Sequence, residues 1–257
     1  MIDTNVNLFQ WPFRRVAGDD PASLVANLRK KGVTQAWACS YESLLYRDTA
    51  GVNARLAAAC RQHGPNFLVP FGSINPRLPG WQEDVERCVE VHKMPGIRLH
   101  PNYHGYPLDD PAVGELLGLA ASKNLVVQIA ISMEDVRVQF PLMLVRPVDP
   151  GPLVDLLKRT PTLCVEILNS GYHGGVRTEH LDDIAKLENV YFDFTCHENV
   201  GGLAKLIAQT SPQRVVFGSH YPFFYFESSF LKIWEAGLPA DQEKAVREGN
   251  ARTLFGR

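Results

Sequence analysis

Polar side chains gather where apolar runs end, and their types suggest acyl chemistry. Asn5 and Asn7 share one face of the first run. In Ile97-Arg98-Leu99-His100, Ile97 and Leu99 face one way, and Arg98 and His100 face the other. Gln128, Asn169 and His220 stand on or at the end of three later runs. Asn5, Asn7 and Asn169 could donate amide N–H bonds to a carbonyl oxygen, each worth about 3 kcal/mol to a developing oxyanion. His220 has an ordinary pKa suited to a general base that later serves as acid. Arg98 offers a planar fork matched to a carboxylate. His100 and His173 could polarise or orient a substrate, with Gln128, Tyr221 and Arg137 as further binding candidates. Each has a plainer reading: strand-end caps for Asn5 and His220, a structural ion pair for Arg98. The set argues more than any member, because polar groups converging from five runs are costly to bury idly.

The elements that must position them alternate. Eight apolar or β-branched runs recur at intervals of roughly 25 to 40 residues: Ile2–Leu8, Gln35–Ser40, Phe67–Ile74, Gly96–His100, Leu125–Ser132, Leu163–Asn169, Val190–Thr195 and Val215–His220. Helical patterns fall between them, over Pro21–Lys31, Val52–His63, Trp81–His92, Pro111–Lys123, Pro152–Lys158, Glu179–Leu187 and Val200–Gln209. Asp20-Pro21 and Asp110-Pro111 open helices with a capping carboxylate before a first-turn proline. Repeated βα units predict a parallel sheet, and eight of them predict an α/β (β/α)8 TIM barrel forming a single domain over residues 1–257. An open doubly wound sheet is the alternative, but no GxGxxG or GxxxxGK[ST] follows the first strand. In a barrel the site lies at the carboxyl ends of the strands, where the residues above would stand. His63, His92 and His180 fall on helices and read as solvated. The stretch Met133–Pro150 exceeds an ordinary βα connection and holds three prolines, which suggests a lid or an oligomer contact.

The chain has 257 residues, 45% hydrophobic and 21% charged, with net charge −2. That is the composition of a globular protein, and it gives no electrostatic case for nucleic acid or a membrane surface. The five cysteines, Cys39, Cys60, Cys88, Cys164 and Cys196, form no CxxC pair, so neither a disulfide framework nor a structural zinc site is expected. The beginning has no leader pattern, and no run of about 18 apolar residues occurs. A cytoplasmic location, a small-molecule partner and a barrel compatible with homo-oligomers are the resulting expectations.

Several segments together resemble the amidohydrolase superfamily, in its amidohydrolase 2 branch. They are Ile2-Asp3-Thr4-Asn5-Val6-Asn7, Gly96-Ile97-Arg98-Leu99-His100-Pro101, Leu108-Asp109-Asp110-Pro111, Asn169-Ser170-Gly171-Tyr172, Arg214 through Pro222, and Gly249 through Phe255. The resemblance implies a metal site: an HxH pair on the first strand, histidines on the fifth and sixth, and an aspartate on the eighth. Those positions here hold Asn5 and Asn7, Ala130, Asn169 and His220. Neutral amides are poor ligands for zinc or similar ions, so no metal and no other cofactor is expected at them. The resemblance has metal-independent, lactonase-like precedent, which points to a hydrolase of a small carbonyl or carboxylate compound. A relocated metal site among His100, His173, His197, Cys196 and His220 is one alternative. A Cys196 nucleophile is another, although Cys196 and His197 should face opposite ways. A vestigial binding barrel is the third. A mouth plugged by Tyr221, Phe223, Phe224 or Met133–Pro150 would favour it.

Overall fold

The computed structural model describes residues 1–171 and 178–255. Eight parallel strands stand in chain order: β1 (Ile2–Leu8), β2 (Gln35–Ser40), β3 (Leu68–Ser73), β4 (Gly96–Leu99), β5 (Val126–Ala130), β6 (Val165–Leu168), β7 (Val190–Asp193) and β8 (Val215–Val216). The last meets the first through Thr4 N–H to Phe217 O (2.9 Å) and Asn7 N–H to Tyr221 O (3.0 Å). Asp3 reinforces that seam by accepting Ser219 N–H at 3.0 Å and the Ser219 hydroxyl. The fold is a (β/α)8 barrel.

Its strands are buried on both faces, which explains why they read as near-continuous apolar runs. Ile97, Leu99, Val127 and Ile129 face the surrounding helices and join one core with Leu116, Leu117 and Leu157. The helices form where caps and amphipathic spacing agree. Asp20 accepts Ser23 N–H ahead of Pro21–Lys30, and Asp110 accepts Ala112 N–H ahead of Pro111–Ser122.

The barrel interior is layered. Its lower end is apolar: Ile2, Trp37, Phe71, Val126, Tyr191 and Val216 pack together, with the Trp37 and Phe71 rings stacked at 5.0 Å. Above them lies a polar layer of Thr4, Arg98, Gln128, Glu166 and Asp193, all buried. At the carboxyl ends come Asn7, His100, Ala130, Leu168 and His220.

Most strands are shorter than the runs in the sequence pattern, and two of these boundaries bear on the site. β8 stops at Val216, because Phe217 N–H bonds to Val246 O instead of continuing the ladder. His100 leaves β4 to precede a short helix, Pro101–His104. Among the described residues, no helix is long and apolar enough to cross a membrane.

Candidate active site

The polar layer is held by one cation. Arg98 Nε donates to Gln128 Oε1 at 2.8 Å. Its Nη1 reaches Asn7 Oδ1 at 3.0 Å, Val6 O at 3.2 Å and Asn5 Oδ1 at 3.5 Å. Its Nη2 reaches Thr4 O at 3.3 Å and Trp37 O at 3.5 Å. Gln128 then donates to Thr4 O and to Glu166 Oε2, both at 2.7 Å. The expectation that Arg98 grips a substrate carboxylate does not fit this geometry: its fork is spent on β1, β2 and β5.

Asn5 and Asn169 are tied in the same way. Asn5 Nδ2 donates to Asp193 Oδ2 at 2.7 Å and to Asn169 Oδ1 at 2.8 Å. Asn169 Nδ2 donates to Ser132 O at 2.8 Å, and its backbone N–H goes to Asp193 Oδ1 at 2.9 Å. Both amides therefore brace the strand ends, in place of the expected role as donors to substrate. Gly218 makes room for this, since a Cβ there would meet Asp193 Oδ2 at 2.8 Å and Asn5 Cβ at 3.0 Å. Burial raises the carboxyl pKa of Asp3 to about 7 and that of Glu166 to about 8, and it raises Asp193 as well.

One layer higher the bonding is incomplete. Trp11 Nε1, both ring nitrogens of His100 and Nδ1 of His220 are buried, and none has a hydrogen-bond partner among the described residues. Asn7 Nδ2 and Tyr41 Oη are buried with them, and the Asn7 amide interacts with the Tyr41 phenol, pulling its pKa down against burial. Such groups are costly to bury unless something satisfies them. Asn7 is oriented unambiguously, because Arg98 can only donate and so fixes the amide oxygen toward itself. His220 Nε2 lies 2.9 Å from Met133 O. A carbonyl only accepts, so Nε2 carries the proton and Nδ1 keeps a bare lone pair. Burial, with Arg98 nearby, lowers the His220 pKa to about 4 against the opposing pull of the Met133 carbonyl. His100 is held well below its ordinary value by burial and by His104, Arg98 and His220. Burial raises the Tyr41 phenol, which keeps its proton. His220 and Asn169 both have left-handed backbones, at φ 54° and 58°, a conformation that persists only where the surroundings enforce it.

An aromatic roof closes over these groups. Trp11 meets Tyr41 at 5.2 Å and Phe223 at 4.9 Å between ring centres, and Phe223 meets His220 at 5.2 Å. Met133, Ala130 and Leu168 complete its apolar lining. The Met133–Pro150 stretch is pinned beside it by Gln139, which donates to Glu134 O and Val145 O and accepts from Val145 N–H.

The remaining candidates separate. His100 stands at the mouth, whereas Gln128 lies below it in the polar layer. Tyr221 turns outward, with its hydroxyl accepting from Asn27 at 3.0 Å, and lines an outer cavity of about 640 Å³ with Arg14, Arg15 and Lys31. Arg137 is exposed and paired with Asp135. These two do not meet the buried set. His173 lies outside the described residues. Cys196 is buried, with its thiol 3.7 Å from Asn169 Oδ1.

The amidohydrolase family model matches residues 5–257. The chain belongs to the amidohydrolase-2 family. No curated protein matches it. Solved structures share the family barrel. The 2,6-dihydroxybenzoate decarboxylase from Rhizobium has a TM-score of 0.72 at 13% identity, over 99% of each chain. A dihydroxybenzoic acid decarboxylase from Polaromonas sp. JS666, bound to manganese and the inhibitor 2-nitroresorcinol, has a TM-score of 0.72 at 13% identity, over 99% of this chain and 96% of that one. Amidohydrolase 2 from Bifidobacterium longum subsp. infantis has a TM-score of 0.67 at 18% identity, over 99% and 98%. At these identities the likeness establishes the fold.

The residues at the family's metal positions do not fit a divalent ion. The Asn5 and Asn7 oxygens face the Arg98 cation, and the Asn169 oxygen accepts from Asn5. Ala130 offers no donor atom. Among the described residues, no group of three His, Cys, Asp or Glu side chains could hold an ion.

Within this family barrel, four contributors were not singled out from the sequence. Glu166 and Asp193 follow from the two-residue period, sharing inward faces with Leu168 and Tyr191. Tyr41 immediately follows β2, a position that could have been read. Trp11 lies in the loop after β1, where no periodicity applies.

Proposed function

We propose that this chain is a metal-independent hydrolase of a small carbonyl compound, a lactone, ester or amide. His220 is the general acid/base, and Asn7 donates to the oxyanion. The observation that carries this reading is the His220 tautomer: Nε2–H is committed to Met133 O, and Nδ1 is a buried, unprotonated nitrogen at the barrel mouth. In the reaction, Nδ1 takes a proton from water. The water oxygen forms a bond to the carbonyl carbon, and the C=O π electrons move onto oxygen. Asn7 Nδ2–H receives that charge, with Tyr41 O–H and Trp11 N–H as neighbouring donors. When the electrons return, the bond to the leaving oxygen or nitrogen breaks, and Nδ1–H delivers the proton to it. Arg98, Asn5 and Asn169 position these groups without touching substrate. The donor set at the family's metal positions supports a reaction without an ion.

The test is turnover of a lactone and ester panel, for example dihydrocoumarin and p-nitrophenyl acetate, by chelator-treated protein. His220→Gln is expected to cost about 10²–10⁴-fold in kcat, and Asn7→Ala about 10²-fold. Unchanged turnover in His220→Gln would remove the assignment.

A second reading, a non-catalytic small-molecule-binding barrel, is favoured by the roof of Trp11, Tyr41 and Phe223 across the mouth. Binding without turnover across the panel would select it.

A further inference from the structure

The groups at the mouth limit what can bind there. A carboxylate buried in this layer would need a cation or several donors to offset its lost hydration. Arg98 stands directly beneath, but each of its nitrogens is already hydrogen-bonded to oxygens of the barrel. The polar atoms at the mouth are an amide N–H, an indole N–H, a phenol and imidazole nitrogens. None of these atoms brings a positive charge, because burial and the nearby Arg98 keep both imidazoles neutral, and Arg14, 4.9 Å from the Phe223 ring centre, is paired with Glu134 at 3.7 Å. The walls are aromatic: Trp11 packs edge to face on Tyr41 and on Phe223, and Phe223 leans on the His220 ring at an interplanar angle of 40°. Ala130 and Leu168, at the ends of β5 and β6, add apolar surface.

We infer that the mouth selects an uncharged, planar carbonyl compound, such as an aryl lactone, ester or amide, and rejects the corresponding carboxylate. The inference rests on the mouth being the substrate site of the proposed hydrolase. The carbonyl oxygen accepts from Asn7 and Trp11, and the ring lies against the aromatic wall. Hydrolysis of such a compound adds water across the acyl bond and yields a carboxylic acid, which ionises in neutral solution. The site would then disfavour its own product, so release follows from the same physics as selection.

A matched pair tests it. 2,6-Dihydroxybenzamide and 2,6-dihydroxybenzoate share a ring and differ in charge. Isothermal titration of the full chain at pH 7 is expected to give the amide at least about ten-fold tighter binding. Trp11→Phe, which removes the indole donor and keeps an aromatic wall, should cost the amide about five- to ten-fold and leave the benzoate unchanged. Equal or tighter binding of the benzoate, or no amide binding at millimolar concentration, overturns the inference. The catalytic reading is scored separately, by dihydrocoumarin hydrolysis. Amide-selective binding without hydrolysis overturns only that reading. Hydrolysis with equal affinities overturns only this inference.

Discussion

Arg98 Nη1 stands 3.0 Å from Asn7 Oδ1, and that one contact decides which end of the Asn7 amide faces the barrel mouth. The guanidinium takes the oxygen, so the NH₂ group points to the roof, where the Tyr41 phenol is its neighbour. A neighbouring cation also polarises the amide, which strengthens its N–H as a donor. Arg98 thus acts on the mouth through Asn7. At Asn5 and Asn7, the positions where the family resemblance implies an HxH pair, it is the charge their oxygens face.

Replacing Arg98 should therefore damage the barrel before it damages binding. Arg98→Met leaves the oxygens of Asn7 and Gln128 buried without their donor. Urea unfolding should report a loss of about 3–5 kcal/mol. A loss below about 1 kcal/mol would mean that the cation does not organise the layer.

Gly218→Ala tests the closeness of β1, β7 and β8. The added methyl would meet Asp193 Oδ2 at 2.8 Å and Asn5 Cβ at 3.0 Å, both fixed by hydrogen bonds. About 1–3 kcal/mol of destabilisation is expected by chemical denaturation, with no change in secondary-structure content.

The buried carboxyls predict a pH slope. Asp3 and Glu166 hold protons in the fold up to about pH 7 and about pH 8, whereas the unfolded chain has released them by pH 6.5. At these two groups the native state binds more protons than the unfolded one, so their contribution to stability falls as pH rises from about 6.5 to 8. The slope reaches up to about 1.4 kcal/mol per pH unit for each group. The lowered histidines pull the other way up to about pH 7.5, where their unfolded forms, with an ordinary value near 6.5, have lost about nine-tenths of their protons, so the carboxyl slope is read between about pH 7.5 and 8. Glu166→Gln, which mimics the protonated acid, should flatten the slope in denaturation curves at stepped pH.

His220 predicts the activity profile. The base form is the working form, and its pKa is lowered to about 4. Turnover should rise through about pH 4 and stay level to neutrality. A rise centred near pH 6.5, the ordinary imidazole value, would place the titrating group in water and away from the buried ring.

Divalent ions should do nothing to the fold. An ion bound only by the native state at 100 times its dissociation constant adds about 2.7 kcal/mol. Melting curves with millimolar Zn²⁺ or Mn²⁺ and with EDTA are expected to superimpose. A metal-dependent rise in Tm would contradict the mismatch between the donor set and an ion.

The sequence by itself determined the barrel, because strand and helix periods are local and the caps at Asp20 and Asp110 are written beside the helices they open. It also determined that Arg98 and Gln128 lie on inward faces, since alternation along a strand is fixed by the pleat, whereas His100 and His220 lie past the ends of β4 and β8, where the tertiary path brings them to the mouth. Tertiary structure alone decided which of their atoms are spent. Arg98 is bonded to residues 30 and 91 positions away in Gln128 and Asn7, and His220 to a carbonyl 87 positions away. Trp11 reaches the mouth from the loop after β1, and Tyr41 from the helical turn that follows β2, paths that no strand period encodes. A hydrogen bond is settled by where chain segments converge in space, so the same arginine that reads as a ligand fork along the strand becomes, in the closed barrel, the bond donor that ties β1 to β2 and β5.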